Sequence, residues 1–296
     1  MKYVFNVLVA FVVLWIVWSV IDHKPKDTGV KAASADSVDG FAGARILKTC
    51  KNYFSKPMSV EFCNDAMFVS NVVTEPDAMD SVGYVCRTSL YGEIVDTLRI
   101  DGLNSPKGMV EHGGYLYIAD INRIAKYDVE ADTLVAMIPV PGAKYLFDME
   151  KDRAGRLYVS DSYGERVYRI DGDSAVLFAC DTLCANISGL CYYNNNLYAG
   201  AKNRILRIDS LGRVKTVFNT AYSVCGIRSD DEGNFITTDF VGNVYAVGRR
   251  KAQLLVGRRQ GVQAADVGYL PEQRILVVPT YGDNSVELYE MGKYLQ

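Results

Sequence analysis

The chain has 296 residues, of which 49% are hydrophobic, and a formal net charge of −3 at pH 7. A chain of this length and apolar content can bury a large core. The acidic balance argues against a dedicated nucleic-acid binder, which would normally present a basic surface. We therefore expect no nucleic acid among its partners.

The N-terminal segment predicts a membrane anchor. Tyr3 through Ile21 carries no charged residue. As a helix it would be roughly 28 Å long, close to the thickness of a bilayer core. Trp15 and Trp18 lie toward its far end, where interfacial aromatic residues are expected. This pattern favours a single-pass transmembrane (signal-anchor) helix that attaches the protein to a membrane.

The chain then divides into three parts. Residues 1–21 are the predicted anchor, residues 22–42 a flexible linker, and residues 43–296 a folded domain on the extracytoplasmic side. The alternative is a cleaved signal peptide, which would leave a secreted or periplasmic protein. The nearest small-residue cleavage site, Ala33–Ala35, lies well beyond the apolar run, so the uncleaved anchor is favoured.

After the linker, one pattern of short strands recurs. Its clearest copy has strands at Pro106–Val110 and Tyr115–Ala119, and a third at Arg123–Tyr127 that alternates polar and apolar residues. A fourth strand follows a polar turn. After a first interval of 49 residues, the second strands end about 40 residues apart, at Asn71, Asp120, Asp161, Gly200, Asp239 and Pro279. Four antiparallel strands in each such period predict an all-β fold, a six-bladed β-propeller.

The register also predicts how the ring closes. The sixth copy has three strands and then only the short segment Met291–Gln296. A strand-like segment, Ala44–Cys50, precedes the first copy and is used by no other blade. We expect this segment to supply the outer strand of the last blade and so pair an open edge. The alternative is a separate lead-in strand.

One copy carries a resemblance to a known family. The segments Pro106–Met109, Leu116–Asp120 and Asn122–Ile124 resemble the NHL repeat and the regucalcin/gluconolactonase-like and strictosidine-synthase-like six-bladed propellers. The resemblance covers roughly residues 57–291 and implies the propeller fold. In the gluconolactonase-like enzymes it also implies a divalent metal at the top of the central channel. The ligands there are a Glu of the first blade and Asn or Asp residues just before the glycines of later inner strands.

The sequence departs from that metal-binding pattern. The six positions that correspond to the ligand row are Met58, Lys107, Phe147, Ser188, Cys225 and Ala265. A hard cation needs several oxygen ligands, and this row offers one hydroxyl. Glu61 falls three residues after Met58 and is a poor substitute for the missing Glu. We therefore expect no metal and no cofactor, with a divalent cation only if the chain is a divergent enzyme.

The next row supplies the main candidate site. Asp148 and Asp266 lie in the third and sixth copies, which face each other across a six-fold ring. Carboxylates that line a channel can bind a cation or a polar ligand, or act as acid and base. The alternative is that each accepts hydrogen bonds from nearby backbone N–H groups. Together with Ser188, Cys225 and Lys107, they are the candidate ligand-binding residues.

No catalytic residue is assigned. The chain has two histidines, His23 and His112, and neither a GxSxG motif nor a phosphate-binding glycine loop. An additional loop, Val72–Val82, joins the second and third strands of the first copy on the face of the channel entrance. We expect it to shape a ligand or partner site there.

Two further features leave alternatives open. Cys180 and Cys184 either close a small disulfide loop or remain free thiols. The basic segments Arg249–Lys251 and Arg258–Arg259 form either a charged edge that prevents sheet pairing or a contact with anionic lipid headgroups.

The sequence thus predicts a membrane-anchored or exported propeller that acts as a ligand- or protein-binding module. Its unknown protein or small-molecule ligand is expected at the top face. The alternative is a divergent gluconolactonase-like hydrolase that acts on a small ester or lactone at the central channel, so whether the protein is an enzyme is left open.

Overall fold

The computed structural model describes residues 43–257 and 262–295, with the side chains of residues 95–98 left out. The predicted N-terminal helix, the linker and Arg258–Arg259 lie outside the described residues. None of the helices within them is long and apolar enough to cross a membrane.

The described residues form 24 strands in six antiparallel sheets of four strands. The strands are β1 (Ala44–Cys50), β2 (Pro57–Cys63), β3 (Ala66–Asn71), β4 (Gly83–Ser89), β5 (Ile94–Leu103), β6 (Pro106–His112), β7 (Tyr115–Asp120), β8 (Arg123–Asp128), β9 (Thr133–Pro139), β10 (Leu146–Lys151), β11 (Leu157–Asp161), β12 (Arg166–Asp171), β13 (Ser174–Cys180), β14 (Leu190–Tyr193), β15 (Asn196–Ala201), β16 (Arg204–Ile208), β17 (Val214–Asn219), β18 (Ile227–Ser229), β19 (Phe235–Thr238), β20 (Val244–Val247), β21 (Ala252–Val256), β22 (Gly268–Leu270), β23 (Ile275–Thr280) and β24 (Ser285–Met291). Short 3-10 turns occur at Thr182–Cys184 and Tyr281–Asp283. The predicted six blades of four strands are confirmed.

Each sheet is one blade, and consecutive strands pair as neighbours. Blades 1 to 5 contain β2–β5, β6–β9, β10–β13, β14–β17 and β18–β21, and blade 6 contains β22–β24 with β1. The first strand of each blade is the inner strand: β2 packs against β6, β6 against β10, β10 against β14, β14 against β18, and β22 against β2. The inner strands therefore surround the central channel of the ring.

The ring closes through its two ends, as the register predicted. β1 pairs antiparallel with β24, from Ala44 opposite Met291 to Cys50 opposite Val286. The segment before the first blade is thus the outer strand of blade 6. This pairing covers an edge of β24 that would otherwise be open.

The two faces of the ring are defined by strand direction. Inner strands begin at the upper face, where the second strand also turns into the third, as Pro106 lies opposite Asp120. At this turn the acid or amide that ends the second strand accepts backbone hydrogen bonds. Asp120 Oδ1 accepts from the N–H groups of Asn104 (2.9 Å) and Ser105 (2.8 Å). Asn71 and Asp161 accept backbone hydrogen bonds in the same way, so in blades 1 to 3 this residue holds the segment that leads into the inner strand.

The core lies between the blades. Each of six buried apolar clusters in the described residues joins two adjacent blades around the ring. Between blades 2 and 3, for example, Val110 and Ile124 pack with Met149 and Val159. Because these clusters occupy the faces of the sheets, the inner strands remain free to place polar side chains along the axis.

Candidate functional site

The mouth of the channel at the upper face is apolar. Buried Met58, Val72 and Ala265 form a cluster there, with the partly buried rings of Phe147, Phe240 and Tyr281 packed against it. Its members come from blades 1, 3, 5 and 6. This set is called the mouth cluster below.

A second group of rings extends the mouth toward blade 3. Tyr145 stacks on Tyr163 with ring centroids 4.3 Å apart, and it lies 6.3 Å from Phe147. Tyr163 is 43% exposed, whereas Tyr145 is buried. The mouth therefore presents half-exposed aromatic rings on a buried apolar base, an arrangement that binds apolar groups well.

Lys107 lies beneath these rings. Its amine is buried, 4.2 Å from the centroid of Tyr145, and donates to Ser105 O (2.9 Å) and Ser105 Oγ (3.1 Å). Burial lowers the pKa of Lys107 to about 7, against the attraction of Asp120 and Asp77. An amine in this setting can exchange a proton near neutral pH.

Below the mouth, Asp148 and Asp266 meet at one side chain. Arg228, on the inner strand β18, reaches Asp148 Oδ2 at 3.4 Å and Asp266 Oδ2 at 3.2 Å. The guanidinium also donates to the carbonyls of Leu190 (3.2 Å) and Ile227 (2.8 Å). Two acids from opposite blades are thus joined through an arginine from a third, an arrangement called the central brace below.

The two acids have different remaining partners. Asp148 accepts from the backbone N–H groups of Met149 (2.9 Å) and Leu190 (2.8 Å), as the capping alternative predicted. Asp266 Oδ2 accepts from Ser59 Oγ at 2.6 Å, while its buried Oδ1 has no hydrogen-bond partner in the described residues. Asp148 is therefore the more completely satisfied of the pair.

Glycines in the preceding blades make room for both acids. A Cβ on Gly108 would lie 2.2 Å from Asp148 Oδ1, and one on Gly226 would lie 2.7 Å from Asp266 Oδ1. Such distances are shorter than real contacts of a Cβ. Gly108 and Gly226 are therefore required by the aspartate of the next blade rather than by a turn.

Two more carboxylates, Glu61 and Glu150, lie two residues further along the inner strands than Ser59 and Asp148. Glu61 Oε1 accepts from Glu111 N (3.0 Å), and Glu150 Oε2 accepts from Tyr192 N (3.2 Å), so each joins its blade to the next. Burial raises the pKa of Glu61 to about 8, and Glu111 N–H and Arg228 oppose the shift. Burial likewise raises the pKa of Glu150, against the attraction of Arg228.

The pKa values of the central brace follow from the same balance. Burial raises the pKa of Asp148, Asp266 raises it further, and Arg228 opposes both. Burial would lower the pKa of Arg228, but the surrounding carboxylates, Asp266 and Asp148 first, hold it above its ordinary range. The guanidinium therefore stays charged, and it is the cation around which the interior acids are arranged.

The side chains of Ser188 and Cys225 are poor candidates for binding a polar ligand. Ser188 Oγ donates to Val224 O at 2.5 Å and approaches Gly200 O at 3.4 Å, so its hydroxyl is used by the backbone. Cys225 is half-buried, and burial raises the pKa of its thiol to about 12. A thiol with such a pKa is a poor nucleophile at neutral pH.

The residues present do not fit the metal of the gluconolactonase-like enzymes. Within residues 43–257 and 262–295, no group of three or more His, Cys, Asp or Glu side chains is arranged to hold a metal ion. The ligand row is the mouth cluster and its neighbours, and a charged guanidinium lies between the two aspartates below it. A dication there would be repelled by Arg228.

The additional loop of blade 1 lies beside the mouth. Ser105 Oγ donates to Pro76 O at 2.7 Å, and Thr74 Oγ1 donates to Asp80 Oδ2 at 2.6 Å. Ser105 also accepts from Lys107, so the loop contacts the residue that binds this buried amine. Beyond the larger effect of burial, the charge of Asp77 raises the pKa values of both Lys107 and Tyr163. Outside the channel, Cys180 is an exposed free thiol and Cys184 a buried one, so the structure has no disulfide between them.

The alignment of the repeats did not identify Arg228 and Glu150 as site residues. Both lie two positions beyond the aspartate row, on the same side of an inner strand. The aligned rows covered only the start of each inner strand. A charged residue inside an otherwise buried segment, such as Ile227-Arg228, was the available signal. Extending the row comparison by two residues would have identified both.

Comparison with known proteins shows the fold alone. No family model and no curated protein sequence matches the chain. Among solved structures, a catalytically inactive histidine-to-alanine variant of virginiamycin B lyase from Staphylococcus aureus with quinupristin is 14% identical, with a TM-score of 0.59, over 81% of this chain and 82% of that one. A streptogramin B lyase is 12% identical, with a TM-score of 0.60, over 82% of this chain and 96% of that one.

A putative gluconolactonase is similar to the same degree. It is 16% identical, with a TM-score of 0.60, over 89% of this chain and 99% of the other. The predicted resemblance to gluconolactonase-like propellers is therefore confirmed as a likeness of fold. The described residues contain one histidine, His112, at the end of β6 on the lower face, where it packs against Gly155.

Proposed function

We propose that the protein is a binding module whose ligand docks on the upper mouth of the channel. The observation that carries the proposal is the division of the channel into two layers. Half-exposed rings cover an apolar base at the mouth, and the charged residues beneath bind one another. A surface of this kind recognises apolar and aromatic groups, such as side chains of a protein segment or a small apolar molecule.

The construction of the mouth supports a rigid binding surface. Its residues belong to strands and turns of four different blades, which the core clusters hold in place. Binding to a preformed surface loses little conformational entropy. The loop Val72–Val82 adds an acidic rim through Asp77, which can orient a partner over the rings.

We also propose that the module acts outside the cytoplasm, attached to a membrane by residues 1–21. Support comes from the uncharged run Tyr3–Ile21 and the polar linker that follows it. Cleavage after export remains the alternative, with a secreted or periplasmic module as the result.

A photo-crosslinking amino acid at Tyr163 tests the proposal in cells that produce the full chain. The expected result is a discrete crosslinked product with a protein or small molecule. The matched control places the same amino acid at Leu177, which is 57% exposed on the outer strand of blade 3. Purified wild-type residues 43–296 should compete for the product, whereas a Phe147→Ser variant should not. Equal products at both positions would show that the mouth is not the binding surface.

A divergent hydrolase is the second candidate, and one observation favours it. Asp148 has a raised pKa and Lys107 a lowered one, so both groups can exchange protons near neutral pH. Both lie at or just below the mouth, and the fold is shared with the putative gluconolactonase and the lyases.

The hydrolase is tested with a panel of small esters and lactones. Turnover that Lys107→Met abolishes without lowering the melting temperature would support it, as would a rise in melting temperature with calcium or zinc. Turnover that survives this substitution would assign the activity elsewhere. No turnover and no metal effect would leave the binding module as the function.

A further inference from the structure

One turn of the lower face is strongly basic. Arg249, Arg250 and Lys251 are consecutive and exposed in the turn between β20 and β21 of blade 5. They follow Gly248, whose N–H donates to Lys251 O at 2.9 Å, so the turn is tight. This set is called the basic turn.

The corresponding turns of blades 1 to 4 carry no net positive charge. The turn between the third and fourth strands carries Glu93 in blade 1, Asp128, Glu130 and Asp132 in blade 2, Asp171 and Asp173 in blade 3, and Asp209 with Arg213 in blade 4. A general need for charge at the edge explains charges of either sign at each turn. It does not explain why three basic residues and no acid occur at one of them.

The basic turn lies beside the point where the described chain begins. Gly43 N donates to Lys293 O (3.1 Å), and Gly292 N donates to Gly43 O (2.8 Å). The next residues cross to blade 5: Leu295 N donates to Gln253 Oε1 (2.8 Å), and the Leu295 side chain packs against Gly248. Exposed Lys293 therefore adds a fourth positive charge at the same edge, beside the acidic turn between β18 and β19, where Asp230 accepts from Tyr294 at 3.0 Å.

The location of the basic turn beside Gly43 favours a membrane surface as its partner. Residues 22–42 are the whole of the chain between the predicted anchor and Gly43. A flexible linker of this length would have an end-to-end distance of roughly 25 Å, which would keep the edge at Gly43 within reach of a bilayer that holds the anchor. Each Lys or Arg near an anionic membrane surface contributes about 1 kcal/mol of attraction.

We propose that the basic turn and Lys293 dock on the headgroups of anionic phospholipids. This inference depends on the membrane attachment proposed above but not on the nature of the ligand at the mouth. Docking through the lower face orients the ring with its upper mouth away from the bilayer. The ligand surface is then open to partners in the surrounding space.

The test uses residues 43–296, since this fragment contains every strand of the six described sheets, including both partners of the closing pair. Its binding is measured by sedimentation with vesicles of phosphatidylcholine, with and without phosphatidylglycerol. We expect binding only with phosphatidylglycerol, weakened by added salt. The variant Arg249→Glu/Arg250→Glu/Lys251→Glu should bind at least about 100-fold more weakly, because three positive charges are lost at roughly fivefold each and three negative charges are added.

A matched variant controls for net charge. Lys51→Glu/Lys144→Glu/Lys202→Glu makes the same charge change at three exposed residues of the upper face. It should bind within about twofold of wild type. Equal loss in both variants, or no wild-type binding to phosphatidylglycerol vesicles, would overturn the proposal. So would equally tight binding of wild type to duplex DNA, because that would show a general affinity for polyanions.

Discussion

The mouth of the channel and the central brace are built from the same inner strands, but the mouth is apolar and partly exposed, whereas the brace is charged and buried. At the mouth, Phe147 and the other rings remain partly exposed and bind one another only through apolar contact. One residue further along β10, Asp148 is buried and bound to Arg228 and two backbone N–H groups. The charged side chains of the channel bind one another and so connect the blades. The partly exposed apolar rings at the mouth are therefore the surface that remains available to a ligand.

Removal of Arg228 should cause the largest loss of stability among the substitutions considered. Arg228→Met leaves Asp148 and Asp266 buried without their cation, and we expect a loss of about 3–5 kcal/mol in the free energy of unfolding. Chemical denaturation at neutral pH measures it. Addition of Asp148→Asn and Asp266→Asn should restore part of the stability, because it removes the uncompensated charges.

The control for this prediction is an exposed ion pair. Arg213 bonds Asp209 at 2.7 Å but is 75% exposed, so Arg213→Met should change the free energy of unfolding by no more than about 1 kcal/mol. If Arg228→Met were as mild as Arg213→Met, the brace would not be what holds the opposite blades together.

A smaller loss is expected from Gly108→Ala. The new Cβ would lie 2.2 Å from Asp148 Oδ1 and 2.4 Å from the Cα of Asp148, so blade 3 must shift away from blade 2. Overpacking of this kind typically costs about 1–3 kcal/mol. Thermal unfolding measures it, with Gly257→Ala as the matched control, since the nearest atom there is 3.8 Å away. Equal melting temperatures of the two variants would contradict the close approach.

The repeat that contains Gly108 shows which parts of the fold can be predicted from the sequence. The repeat of strands, its period of about 40 residues and the unused segment Ala44–Cys50 predict six blades and their closure, because alternation and turn residues are local signals. The row that contains Gly108 also places Asp148 and Asp266 at the channel. What fills the space between them depends on side chains from other blades, which a row-by-row comparison does not join.

Arg228 illustrates the missing information. Its partners Asp148 and Asp266 are 80 and 38 residues away in the chain. The mouth cluster likewise combines inner-strand residues with Val72, Phe240 and Tyr281, which follow the second strands, and the sequence does not show that these two sets of residues meet. The sequence predicted only that the two acids face the channel, whereas the cation that binds both of them is visible only in the structure.

The pH dependence of stability separates Glu61 from an ordinary surface acid. Its pKa is near 4.5 when unfolded and about 8 in the fold, so the folded state holds a proton that the unfolded chain releases between these values. Its contribution to stability is complete below about pH 4.5 and is lost as the pH rises through about 8. Glu61→Gln should remove this decline.

Denaturation at about pH 5 and about pH 9 measures the effect. The advantage of Glu61→Gln over wild type should be larger at the higher pH. Glu130→Gln changes an exposed glutamate in the turn between β8 and β9 and should leave the pH profile unchanged. An unaltered decline in Glu61→Gln would show that another group of the interior layer causes it.

The smallest change in stability is expected at the mouth itself. Tyr163 stacks on Tyr145 at 4.3 Å but is 43% exposed, so Tyr163→Ser should lower the free energy of unfolding by no more than about 1 kcal/mol. Yet the same substitution should remove a ring from the proposed ligand surface and weaken binding of the crosslinked partner. Leu177→Ser, at the outer edge of the same blade, should weaken neither. A large loss of stability with unchanged binding would reverse the assignment, making the mouth a structural layer and leaving the ligand to another face.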